Sequence, residues 1–216
     1  MRKKVLIVAF TIATLCISSI VWAKDPNFTG GIKVGMLWLQ DKEYVQKVYG
    51  NTGVMFYSGF FSWKMIDDFE LDAEIGYASA LGRGVTPKNE AKTNQRYRLD
   101  MGPAQLGLIY RFNYVPEQII VPYLGAGGNY MYYFEARVKE SWHKSGGLFG
   151  YHGRAGLQVL LNNIEKRASS NLKNQYGIDN SYLFYEFQYN VTDNFTPNKG
   201  LDLSNFTHTL GVLIEF

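Results

Sequence analysis

Eight ionisable side chains of this 216-residue chain sit beside apolar neighbours at alternating positions. Lys33 lies between Ile32 and Val34, Lys64 between Trp63 and Met65, Arg111 between Tyr110 and Phe112. Asp72 and Glu74 interleave with Leu71, Ala73 and Ile75; Glu186 is flanked by Tyr185 and Phe187. Glu215 falls between Ile214 and Phe216, and Arg154 precedes Ala155. Successive side chains of an extended chain point to opposite faces, so this spacing gathers the charges on one face and the apolar groups on the other. Four basic groups meet four acidic ones. Charges enclosed together must be paired, because an unpaired buried charge is costly or neutralises itself. The chemistry this pattern predicts is a salt-bridged filling that stiffens its container. A selective ion path would require one sign in excess and a wider bore.

Nucleophilic chemistry has a thinner supply. His152 has the parity of the charged face, with Glu186 one strand away, and a Ser-His-carboxylate arrangement needs a base that touches both nucleophile and acid. Ser141-Trp142-His143 offers a Ser and a His at i, i+2 without a strand-borne acid, and Ser169-Ser170-Asn171 falls in a segment read as helical. No catalytic residue is therefore expected, and a lipid-modifying enzyme stands as an alternative reading. His143, His152 and His208 fall on different segments, so neither a metal site nor another cofactor is expected.

These residues must be positioned by strands. Eight segments alternate: 31–39, 53–66, a third around 71–77, 97–113, 121–134, 149–161, 182–189 and a terminal one. The fourth is expected to change parity, with Leu99 and Met101 outward before Gly102-Pro103-Ala104 and Leu106, Leu108, Tyr110 and Phe112 outward after it, implying a bulge. The terminal strand carries the stripe Leu210, Val212, Ile214 and Phe216. Segments 67–68 and 113–118 are short turns; 40–51, 82–96, 135–147 and 190–204 are longer, polar loops. The exception is 162–181, where Ile164, Ala168, Leu172 and Tyr176 recur every fourth residue and Gly177 sits as a C-cap. A short amphipathic helix over 163–176 is predicted, its stripe docked at the mouth of the strands.

Composition agrees with a membrane address. Aromatics are 16% of residues, with 16 Tyr and 14 Phe, and no segment after the first 23 residues is apolar long enough to span as a helix. Without such a segment, membrane residence requires a closed barrel, since lipid offers the backbone no hydrogen-bond partner. Arg2-Lys3-Lys4, the apolar run from Val5 to Trp22 and the small residue Ala23 read as a signal peptide over 1–23. Its removal leaves residues 24–216, in which 19 basic residues face 19 acidic ones and no cysteine remains. Such a neutral chain predicts no nucleic-acid partner. The loop cations Arg83, Lys88, Lys92 and Arg96, against Glu90 alone, could meet lipopolysaccharide phosphates.

The chain resembles the small eight-stranded outer-membrane barrels of the OmpA, OmpX and OmpW type. The carrying residues are the terminal strand ending in Phe216, the stretch Met101-Gly102-Pro103-Ala104-Gln105-Leu106-Gly107-Leu108-Ile109-Tyr110-Arg111-Phe112, and Val121-Pro122-Tyr123-Leu124-Gly125-Ala126-Gly127-Gly128-Asn129-Tyr130. The resemblance implies an all-β fold, an eight-stranded antiparallel transmembrane β-barrel, here with a short helical periplasmic insertion that departs from the OmpW pattern. It implies a bacterial outer-membrane location, contact with outer-membrane lipid and lipopolysaccharide, recognition by the barrel-assembly machinery and a monomeric state. The expected role is structural or surface-interacting, with specificity in the external loops. An OmpW-like channel for small hydrophobic molecules is the alternative.

Overall fold

The computed structural model describes residues 28–41, 45–50, 53–66, 68–85, 92–115, 117–138, 141–162, 166–195 and 201–216. The proposed leader, 1–23, lies outside them. Eight strands form one closed barrel: β1 (Phe28–Leu39), β2 (Val54–Ile66), β3 (Phe69–Val85), β4 (Lys92–Arg111), β5 (Ile120–Arg137), β6 (His143–Leu160), β7 (Asn180–Thr192) and β8 (Asn205–Glu215). Every neighbouring pair is antiparallel, and β1 closes on β8 through Thr29↔Glu215 to Leu39↔Asn205. Phe28 and Phe216 exchange backbone hydrogen bonds (3.1 and 2.9 Å) just beyond that ladder. Among the described residues two helices interrupt the strands: α1 (Val45–Tyr49) after β1 and α2 (Lys166–Tyr176) after β6.

Alternation explains the wall. Outward side chains are large and apolar; Ile32 is 67% exposed and Ile75 69%. A water-soluble surface does not carry a continuous band of this kind, whereas a bilayer does. Aromatic pairs mark its lower edge, Phe28 against Phe61 (5.4 Å) and Phe69 against Tyr110 (4.8 Å). Trp38 against Phe206 (5.1 Å) and Tyr130 against Phe149 (4.8 Å) lie further up. No helix among the described residues is long and apolar enough to cross a membrane.

β4 departs from the expected parity change. Its alternation runs unbroken from Leu99 to Arg111, its register with β5 is continuous from Tyr97↔Arg137 to Arg111↔Tyr123, and Leu99 and Met101 are buried inside. No bulge lies at 102–104; the register shifts fall at Lys64/Ile66 and Arg83/Val85. The difference has a physical cause: alternation points the apolar face of a strand to lipid, but the upper lumen is itself apolar.

That upper lumen holds a packed cluster that includes Leu37, Phe56, Ala78, Leu99, Met101, Met131 and Leu203. The segment 40–51, expected as a plain loop, supplies part of it: α1 inserts the fully buried Val45 and lays Val48 beside it. Gln46 ties the helix back to Leu39 O (2.8 Å), and Gly50 ends it at φ +82°. Gly82 makes room for it: a Cβ there would stand 2.4 Å from Val48 O. The loops 82–96 and 135–147 are also shorter than expected, because β3, β4, β5 and β6 continue into them. Above the bilayer both faces of a hairpin meet water, so the apolar alternation stops while the ladder goes on.

α2 begins at Lys166 in the described residues and ends at Gly177 (φ +68°), whose N–H reaches Lys173 O (3.1 Å). Of the stripe expected to dock, Ile164 lies outside the described residues, Leu172 is half-buried and Tyr176 is 67% exposed. Tyr176, at the end of that stripe, does not seat at the mouth. Lys173 instead pairs with Asp179 (2.7 Å), an ordinary exposed contact that raises the Lys173 pKa by hydrogen bonding.

Candidate functional site

The lumen below the apolar cluster is charged. Lys33 on β1 reaches Glu74 on β3 (2.8 Å) and Glu186 on β7, and the Tyr123 hydroxyl on β5 donates to the other Glu186 oxygen (2.8 Å). Arg154 on β6 lies 2.9 Å from Asp72 and 3.2 Å from Glu74, while Ser62 on β2 donates to Asp72 (2.8 Å). These residues span β1, β2, β3, β5, β6 and β7, and Lys33, Asp72, Glu74, Arg154 and Glu186 are each no more than 5% exposed. A second group lies nearer the chain ends. Arg111 holds Glu70 with two nitrogens (3.0 and 3.1 Å), bonds Thr29 (3.2 Å) and pairs with Glu215. Asn180 also donates to Glu215 (2.8 Å). Between the two groups is a cavity of about 20 Å³ bordered by Lys33, Asp72, Arg111, Tyr123, Arg154 and Glu186, room for one water molecule.

An amide layer roofs the ions. Arg154 donates to Gln105 Oε1 (2.9 Å), which also accepts from Gln188 (2.9 Å). Gln188, Gln105 and Asn129 all donate to Asn190 Oδ1 (2.7, 3.1 and 3.4 Å), and Asn190 donates to Asn205 (2.9 Å). Beneath the ions, Val121, Leu160, Tyr182, Phe184 and Leu213 close the opposite end with Phe60.

The structure thus gathers seven of the eight charges singled out in the sequence, Lys33, Asp72, Glu74, Arg111, Arg154, Glu186 and Glu215, into two ion-paired groups. Lys64 is half-buried near the end of β2, opposite Glu70 in register, and has no carboxylate within ion-pair range among the described residues. Glu70 takes the place the sequence reading gave to Lys64. It was legible, since it shares the even parity of Asp72 and Glu74. The two ion-paired groups therefore hold three cations, Lys33, Arg111 and Arg154, against five carboxylates, instead of an even balance. Tyr123 and the amides were missed for a different reason: neutral polar groups on an inner face announce no partner.

The nucleophilic candidates do not assemble. His143 Nδ1 lies 3.3 Å from the backbone oxygen of Ser141, not its hydroxyl. His152 Nε2 is 3.1 Å from the Arg154 guanidinium, a neighbour that makes the ring an acceptor. His208 is on the outer wall, bonded to the Tyr185 hydroxyl (2.5 Å). Among the described residues no group of three His, Cys, Asp or Glu side chains is arranged to hold a metal.

Solved structures share this architecture. OprG, an outer membrane protein of Pseudomonas aeruginosa, superposes with a TM-score of 0.56 at 14% identity, covering 89% of this chain and 97% of its own. Neisserial surface protein A superposes at 0.52 and 13% identity, over 88% and 97% of the two chains. The fold is that of the small outer-membrane barrels. No protein-family model matches the sequence, and no curated protein matches it either. At these identities the likeness speaks for the fold alone.

Proposed function

We propose that the chain is a monomeric bacterial outer-membrane barrel with a structural or surface-interaction role, its lumen plugged and its specificity carried by the external loops. The observation that carries this reading is the filling of the lumen at successive levels: a lower apolar ring, the ion-paired groups, the amide layer and the upper cluster capped by α1. An eight-stranded barrel is about wide enough to be filled by its own side chains. The space bordered by both ion groups is about 20 Å³, too small for a solute larger than water.

The stripe Leu210, Val212, Ile214 and Phe216 faces outward on the last strand and is the segment the barrel-assembly machinery would read. The segment 1–23 would be removed before assembly. Catalysis has no place in this reading, because the histidines are engaged by a backbone oxygen, a guanidinium and a phenol, and not by a nucleophile with an acid.

Reconstitution of the full mature chain in planar bilayers tests the plug. Occasional flickers without stable steps are expected. Large, long-lived steps, or uptake of small apolar solutes by proteoliposomes above protein-free vesicles, would replace this reading with the channel alternative.

A further inference from the structure

The barrel's outer wall carries a charged patch that the lumen does not explain. Arg83 on β3 and Arg96 on β4 are directly opposed in register, both outward and both exposed. Like charges at paired positions repel. Among the described residues neither guanidinium has a carboxylate within ion-pair range, and no described group offsets the repulsion between them. Two residues further down β4, Arg98 is fixed by Asp100 (2.9 Å), whose other oxygen accepts from Tyr77 (2.9 Å) and Ser79 (2.7 Å). Both Asp100 oxygens are thereby used, by Arg98 and by the two hydroxyls, and Arg83 and Arg96 have no part in that carboxylate.

The patch sits at a defined height. A transmembrane strand needs roughly 9–11 residues, and on β3 that length counted from Leu71 ends at Leu81, two residues below Arg83. Aromatic rings occupy the upper outward positions elsewhere, Trp38 on β1, Phe134 on β5, Tyr189 on β7 and Phe206 on β8. On β3 and β4 those positions hold Ser79, Leu81, Arg98 and Asp100 instead. Lower on the wall and to one side, with its edge on β3, a shallow outer groove of about 730 Å³ is bordered by Ile32, Tyr57, Gly59, Ile75, Tyr77 and Leu210. It is open because Gly59 is the outward residue of its row; a Cβ there would meet only Gly31 O, at 3.8 Å. Tyr77 belongs to both features, so the polar patch and the apolar groove are continuous.

We propose that Arg83, Arg96 and Arg98 bind a phosphate of an acylated, phosphorylated glycolipid of the outer leaflet, with one acyl chain lying in the groove beneath. A phosphate shared by opposed guanidiniums accepts paired N–H donors and removes their repulsion. The groove commits the occupant to a lipid, because free phosphate would leave it empty. The inference rests on the outer-membrane placement proposed above, but not on the plugged lumen.

Native mass spectrometry of the detergent-purified full mature chain with hexa-acyl diphosphoryl lipid A tests it. A one-to-one adduct is expected. Fully dephosphorylated lipid A, and the double variant Arg83→Ser, Arg96→Ser with the phosphorylated lipid, should each be retained at least about five-fold less. Lys144→Ala, which removes an exposed cation from the rim of β6, should leave retention unchanged. Gly59→Phe should weaken retention with the arginines intact. Equal retention of the two lipids by the wild type overturns the proposal, and this comparison decides even if a variant fails to fold. Displacement of the lipid by equimolar inorganic phosphate also overturns it, since the site would then take free phosphate. An unfolded lumen or a conducting barrel would sink the plugged reading while leaving this result untouched.

Discussion

Arg154 Nη1 lies 2.9 Å from Asp72 Oδ2, tying β6 to β3 across the bore although the two strands share no sheet edge. The same guanidinium also reaches Glu74 on β3 and Gln105 on β4, so one side chain braces three strands' worth of wall against collapse or ovalisation.

Truncating that group should therefore be expensive. Arg154→Ala leaves Asp72 buried with only the Ser62 hydroxyl and Glu74 with Lys33 alone, and removing one partner of a buried pair costs about 3–5 kcal/mol. Urea unfolding of the reconstituted barrel, followed by tryptophan fluorescence, should show a loss of that size. The triple change Asp72→Ala, Glu74→Ala, Arg154→Ala should be less destabilising than the sum of its parts. An unchanged midpoint for Arg154→Ala would mean that the guanidinium carries no part of the lumen's stability.

The upper plug can be loosened without touching the ions. Val45→Asp places a carboxylate in the apolar cluster beside Leu37 and Leu99, and Gly82→Val drives a side chain into Val48 O. Either should expel α1 and open residues 40–52 to limited proteolysis, while heat-modifiable migration on gels shows the barrel still folded. Wild-type protection equal to that of both variants would show that α1 does not seat in the lumen.

Phe216 closes the seam between first and last strands. Its ring stacks on Phe28 (6.4 Å) and meets Phe61 (6.4 Å), and such pairs contribute roughly 0.5–1.5 kcal/mol each. Phe216→Ala should lower unfolding stability in vitro by about 1–3 kcal/mol. In cells the fraction reaching the heat-modifiable form should fall further than that loss explains, because the proposed assembly signal is damaged as well. Equal deficits in the two settings would remove Phe216 from any assembly role.

The helix after β6 should behave as a weakly held segment. An isolated helix of eleven residues is marginal in water, and Tyr176 has little to pack against. Amide exchange in detergent should be much faster across 166–176 than across β6 or β7, and Tyr176→Ala should leave barrel stability unchanged. Strand-like protection of the helix would show a docking partner.

Much of this architecture is local and hence written along the chain. A period of two needs only neighbouring residues, so the eight strands, the outward stripe ending in Phe216 and the inward parity of Lys33, Asp72, Glu74, Arg154 and Glu186 were all legible. So was Gly177 as the stop of α2. What alternation cannot carry is which inner residue meets which. Lys33 and Glu186 are 153 positions apart, and only the register of closure between β1, β8 and β7 brings them into contact. The same holds for Glu70 displacing Lys64 as a partner of the network. Polarity misled where the environment reversed its usual meaning: Leu99 and Met101 look lipid-facing because they are apolar, yet they face a lumen that α1 and Leu203 render apolar. The strands determined which face each side chain takes; closure of the barrel and insertion of a loop determined what that face touches.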